Sequence, residues 1–160
     1  MEQYTSKMKR FRVYYWFEIK DMDMFQDIVK KNKKRLNDYC VVTIYDTYEE
    51  MFNNVDIFEG HKIERDYGGR TFNWEIKIRN GLKSWIGKNQ AIVSLCNEEL
   101  TYRVINHEIC HIVYGYISKY MKRSLKCDYN KRRKKKQMIY EELMCYMTGS
   151  ISDQIFSKLV

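Results

Sequence analysis

A chain of 160 residues with 44% hydrophobic content, no proline and a formal charge of +8 can bury one sizeable core, and nothing in it resembles an interdomain linker or a repeat. Residues 1–160 therefore read as a single domain. No stretch of about 18 or more apolar residues is present, which excludes a spanning helix, and residues 1–10 run into strand-like sequence rather than a signal-type apolar segment. The expected setting is the cytoplasm.

In chain order, period-2 and β-branched runs predict strands over Arg12–Ile19, Cys40–Tyr45, Thr71–Ile78 and Ala91–Cys96. Helical periodicity predicts helices over Met24–Leu36 and Thr47–Asn54. Glycines 68, 69, 81 and 87 mark turns, and Gly68-Gly69 is a tight turn rather than a phosphate loop because no Gly-Lys-Ser/Thr follows. After the apolar run at 90–96, Asn97 with Glu98 and Glu99 predicts a helix start. Two apolar stripes follow on that helix: Ile105, Ile109, Ile112 and Tyr116 on one side, and Leu100, Val104, His107, His111 and Gly115 on the other. The first stripe is expected on the sheet and the second against another helix. A second long helix is predicted from Tyr140 to about Lys158. This order is α+β, with a small mixed sheet preceding two helices.

The segment His107-Glu108-Ile109-Cys110-His111 carries the chemistry. On a helix, positions i and i+4 lie one above the other, so His107 and His111 can direct two ring nitrogens at one Zn²⁺. Glu108 stands about 100° around the helix, where a carboxylate can take a proton from water activated by the metal. A catalytic zinc site normally has a third protein ligand. His61 falls in a predicted loop, which leaves a carboxylate as the better candidate. The five cysteines, at 40, 96, 110, 127 and 145, form no CxxC pair and read mostly as small buried residues.

The run Tyr140-Glu141-Glu142-Leu143-Met144-Cys145-Tyr146-Met147-Thr148-Gly149 supplies such carboxylates on the second helix. H-E-x-x-H followed by E-x-x-small-Tyr resembles the gluzincin branch of the zincins. Together with Tyr45–Met51, it is also similar to small metallopeptidase-like proteins of bacteriophages and, more distantly, to the immunity-repressor-cleaving minimal gluzincins. The resemblance covers about residues 90 to 155. It implies a zincin-like fold, a peptidase acting on protein or peptide substrates, Zn²⁺ as cofactor, His107, His111 and Glu142 as ligands, and Glu108 as general base. Within the resemblance, Glu142 is favoured over Glu141 because it shares a stripe with Met138, Cys145 and Gly149, where small side chains suit helix approach. It also implies that an extended substrate pairs with a strand within Thr71–Cys96. The wealth of Lys, Asn, Tyr and Ile fits an AT-rich genome, and so a host cytoplasm if the chain is phage-encoded. Tyr114 and Tyr146 lie near the motifs as oxyanion candidates.

Residues 119–136 hold ten basic side chains and one acid, Asp128, a balance of +9, so the rest of the chain sums to −1. This connection, with Lys131–Lys136 at its centre, is expected to self-repel and remain mobile, and it could attract nucleic acid or an acidic partner. The sequence leaves the oligomeric state open.

Overall fold

The computed structural model describes residues 9–59, 69–73, 91–121 and 131–159. Four strands form one sheet in the order β1-β2-β4-β3: β1 (Lys9–Tyr14), β2 (Tyr39–Tyr45), β3 (Gly69–Asn73) and β4 (Ala91–Cys96). β1 is antiparallel to β2, β2 is parallel to β4, and β3 lies antiparallel to β4 at the sheet edge. The fold is thus mixed α+β.

β1 stops five residues short of the expected Ile19. Tyr15 and Trp16 turn inward with 1% and 0% exposure, and Glu18 reverses the chain in the left-handed region at φ 63°. The expected helix at 24–36 is likewise broken. Only α1 (Gln26–Lys31) is α-helical, flanked by 3₁₀ turns at 23–25 and 33–35. The break falls at Asn32, whose side-chain amide donates to the Ile28 carbonyl (2.8 Å), competing with the backbone ladder. α2 (Tyr48–Glu59) runs five residues past the expected end. Thr47 caps its start by accepting from the Glu50 N–H (3.2 Å). The expected strand residues 74–78, His61 and glycines 68, 81 and 87 lie outside the described residues.

All six residues of β4 are buried, as an apolar run with both faces covered requires. On one face Val13, Cys40, Val42, Ile44, Ala91, Val93 and Leu95 join the main core. Met51 and Phe52 of α2 are also buried, outside that cluster, as are Tyr45, Ile92 and Cys96 of the strands.

The main core is completed by α3 (Tyr102–Tyr120) and α4 (Lys131–Leu159). The isoleucine stripe of α3 behaves as expected: Ile105, Ile109, Ile112 and Tyr116 are at most 1% exposed. Its start does not. Asn97–Glu99 forms a 3₁₀ turn, and the N-cap is Thr101, which accepts from the Val104 N–H (3.2 Å). The two glutamates instead hold the start of α2, where Glu98 accepts from the Tyr48 N–H (3.2 Å) and Glu99 from the Tyr48 hydroxyl. Donating to Glu99, with desolvation and the Glu99 charge adding to the effect, pushes the Tyr48 phenol up to about 12.

α4 begins nine residues before the expected Tyr140, so Lys131–Lys136 form its opening turns rather than a mobile connection. Leu143, Met147, Ile151 and Ile155 make its buried stripe, each 0% exposed. α4 also closes the outer edge of β1. The Gln154 side-chain amide accepts from the Tyr14 N–H (2.8 Å) and donates to the Tyr14 carbonyl (2.9 Å), and Ser150 donates to the Phe17 carbonyl (2.9 Å).

Candidate metal centre

α3 carries the motif as a continuous helix, and the spacing of its histidines has the expected result. The Nε2 atoms of His107 and His111 lie 3.1 Å apart, with ring centroids separated by 4.7 Å and ring planes at 79°. Two nitrogens at that separation, each about 2.05 Å from one ion, would subtend about 100° at it, close to a tetrahedral angle. The pair therefore fits two positions of a zinc site. Both imidazoles are exposed, so the expectation that the histidine stripe faces a second helix is not met. Ile105, Ile109 and Ile112 hold the helix on the core, and the histidine face is exposed.

Glu108 contrasts with its neighbours. It is 6% exposed, one of three buried polar or charged residues among those described. Helical geometry sets it about 200° from Asn106, the residue that meets α4, so it stands on the flank of α3 turned away from that helix. α3 also packs against the edge strand β3.

The register between α3 and α4 locates Glu142. Tyr102 packs on Phe156 (centroids 4.6 Å), and Ser152 donates to the Asn106 side chain (3.2 Å). Both pairs define one antiparallel alignment, in which Glu142 is level with Tyr116. That is five residues beyond His111, about 7.5 Å along the axis. Glu142 is exposed and lines a groove of about 620 Å³ shared with Glu18, Met22 and Asp153. Glu141 is also exposed, on the flank shared with Thr148 and Ser152 that meets α3. Among the described residues no three His, Cys, Asp or Glu side chains are gathered as a metal site. The structure thus brings together His107 and His111 and leaves Glu142 apart from them.

Of the other motif residues, Cys110 and Cys145 are exposed thiols, while Cys40 and Cys96 are buried. Tyr114 is half exposed, and Tyr146 sets its ring edge-on to Phe25 at 5.5 Å.

Sequence reasoning missed the support behind α3. Trp16 donates through Nε1 to the Tyr116 hydroxyl (2.9 Å), which donates to Asp38 (2.9 Å). Tyr15 stacks on Tyr116 with centroids 3.9 Å apart. Burial pushes both phenols well up and raises the Asp38 carboxyl, against the lowering effect of Tyr116 and Arg35. These partners are 78 to 101 residues apart in the chain, and no local pattern announces them.

Compared with known proteins, the chain matches no family model, no curated protein and no solved structure. No helix among the described residues is long and apolar enough to cross a membrane.

Proposed function

We propose that this protein is a zinc-dependent peptidase of the gluzincin type, with a zincin-like fold. The observation that carries the reading is the convergence of His107 and His111 Nε2 at 3.1 Å on the exposed face of α3. These two histidines would hold the ion, and Zn²⁺, when bound, supplies a Lewis acid that polarises a scissile carbonyl and activates water. Glu108 would take a proton from the attacking water and return it to the leaving amine. β3, antiparallel to β4, packed on α3 and outermost among the described strands, is the strand an extended protein substrate would join through its backbone. Glu142 is the third ligand that the resemblance implies. At its present level on α4, about 7.5 Å beyond His111 and on the groove side, it does not complete the set, so its role requires α4 both to slide along α3 by at least that distance and to turn toward the histidines.

The experiment is the metal content of protein purified without added zinc, by elemental mass spectrometry, for the wild type, Glu142→Ala and Glu141→Ala. About one zinc per chain, lost with Glu142→Ala alone, supports the full ligand set. Retention of zinc in both variants moves the third ligand elsewhere, and absence of metal even after zinc addition removes the reading.

A second reading is a non-catalytic protein that binds nucleic acid or an acidic host protein through residues 119–136. It is favoured by the helical form of Lys131–Lys136, since cations at a helix N-terminus oppose the helix dipole and gain from an anionic partner. It requires salt-sensitive binding that survives His107→Ala and disappears when those six residues are neutralised.

A further inference from the structure

Residues 30–35 are all cations except Asn32, and no acid stands between Asp27 and Asp38. The segment is folded. Asn32 donates its N–H to the Val29 carbonyl (3.1 Å), Arg35 to that of Asn32 (2.8 Å) and Asp38 to that of Arg35 (2.9 Å). Ile28 and Val29 are buried at its start, and Leu36 packs against the main core at its end. Between these anchors Lys30, Lys31, Lys33 and Lys34 are all exposed. None of the four is paired with a carboxylate among the described residues. A turn that fixes like charges side by side works against its own folding, and an anionic partner would relieve it.

The other polar groups of the turn are already committed. The Asn32 amide donates to the Ile28 carbonyl, and Arg35 pairs with Asp38 at 3.5 Å while its guanidinium lies 4.3 Å from the Tyr120 ring centroid. Lys119 approaches the same ring from α3, at 5.7 Å. The turn therefore abuts the last turn of α3, where the basic residues 119–136 begin. What it offers a partner is ammonium groups, which are point charges, with no bidentate group left over to read base edges.

We propose that the Lys30–Lys34 turn is a phosphate-binding surface for duplex DNA, indifferent to base sequence. Charge density favours this partner. At a rise of about 1.5–2 Å per residue, four charges over the steps from 30 to 34 amount to about one per 1.5–2 Å, against about one per 1.7 Å of axis in duplex DNA. An extended acidic peptide spaces its side chains about 3.3 Å apart. A bilayer would need apolar side chains beside the cations, and Ile28, Val29 and Leu36 pack inward instead. The surface shares its class of partner with the second reading above but stands on other residues, and it is independent of zinc.

The test is fluorescence anisotropy of a labelled duplex of about 20 base pairs, titrated with the full chain at about 50–300 mM KCl. Each phosphate contact adds about 0.9 to the slope of log K against log salt. Lys30→Gln, Lys31→Gln, Lys33→Gln and Lys34→Gln together should therefore lower the slope by about 3–4 and weaken binding at least about tenfold near 100 mM. The melting temperature should not fall, because all four side chains are exposed. Arginine at the same four positions should keep the wild-type slope, and two duplexes of unrelated sequence should bind within about threefold. A wild type that does not bind, a slope unchanged by the glutamine exchange, or a larger sequence preference would each overturn the proposal. Loss of binding on neutralising Lys131–Lys136, with no effect of the exchange at 30–34, would leave the second reading standing and remove this surface. Binding to equimolar phosphatidylcholine–phosphatidylserine vesicles but not to the duplex would overturn it in favour of a membrane.

Discussion

Tyr116 donates its hydroxyl hydrogen to Asp38 across 2.9 Å, joining the helix that carries the histidine pair to the residue just before β2. The same oxygen accepts from Trp16, which is fully buried. Tyr116→Phe removes that acceptor and leaves the indole N–H without a partner in the core. The expected cost is about 1–3 kcal/mol in urea unfolding, with the fold retained. A loss below about 0.5 kcal/mol would mean that the hydroxyl contributes nothing net.

The same pair imposes a pH dependence. Burial raises the Asp38 carboxyl above its ordinary value, so the folded protein keeps this proton to higher pH than the unfolded chain does. The Asp38 contribution to stability is therefore greatest at low pH. It declines as pH rises from about 3.9, the unfolded value, through the folded one. Asp38→Asn keeps an acceptor for Tyr116 and removes the titration. The stability of the wild type minus that of Asp38→Asn should fall over the window that opens at about pH 4, the unfolded value. A difference that grows over this window would contradict the assignment.

The proposed chemistry separates holding metal from using it. His107→Ala and His111→Ala should each lose zinc together with any proteolysis of an unfolded protein such as reduced casein. Glu108→Gln should retain zinc at the wild-type level and lose cleavage by about 100-fold or more, the usual weight of a general base. Loss of metal from Glu108→Gln would make Glu108 a structural or ligating group instead.

Thr101 is the only described side chain that caps the motif helix. Its hydroxyl accepts from Val104 at 3.2 Å, so Thr101→Ala should destabilise the protein by about 1 kcal/mol, and Thr101→Asp should not. Equal losses in both variants, read by thermal unfolding, would locate the effect in packing rather than in the cap.

What was legible in the sequence was what local periodicity controls. The buried strand at 91–96, the isoleucine stripe of α3 and the convergence of His107 with His111 follow from spacings of two, three and four residues. The errors arose where distant groups intervened. Glu98 and Glu99 looked like the first turn of α3 and instead hold α2, across 50 and 51 residues of chain. Asn32 looked compatible with a continuous helix, and its amide ended it. At the opening of α4, helix propensity outweighs charge repulsion, because Lys and Arg are good helix formers. Glu142 illustrates the same limit. Its stripe with Met138, Cys145 and Gly149 is exposed rather than set against α3, and its level relative to His111 depends on contacts at Tyr102 and Asn106 that no spacing encodes.

The hold of Gln154 on Tyr14 links positions 140 residues apart. A ribosome adding about 5–20 residues per second needs on the order of 7–28 s to make that stretch. Once β1 has left the exit tunnel, its Tyr14 end waits for a cover that is still unsynthesised. Such an edge is a template for pairing with another chain, and nascent copies on one polysome would present it to each other. The arginines at 10 and 12 of β1 counter that hazard, since like charges on neighbouring nascent chains repel before the last helix arrives.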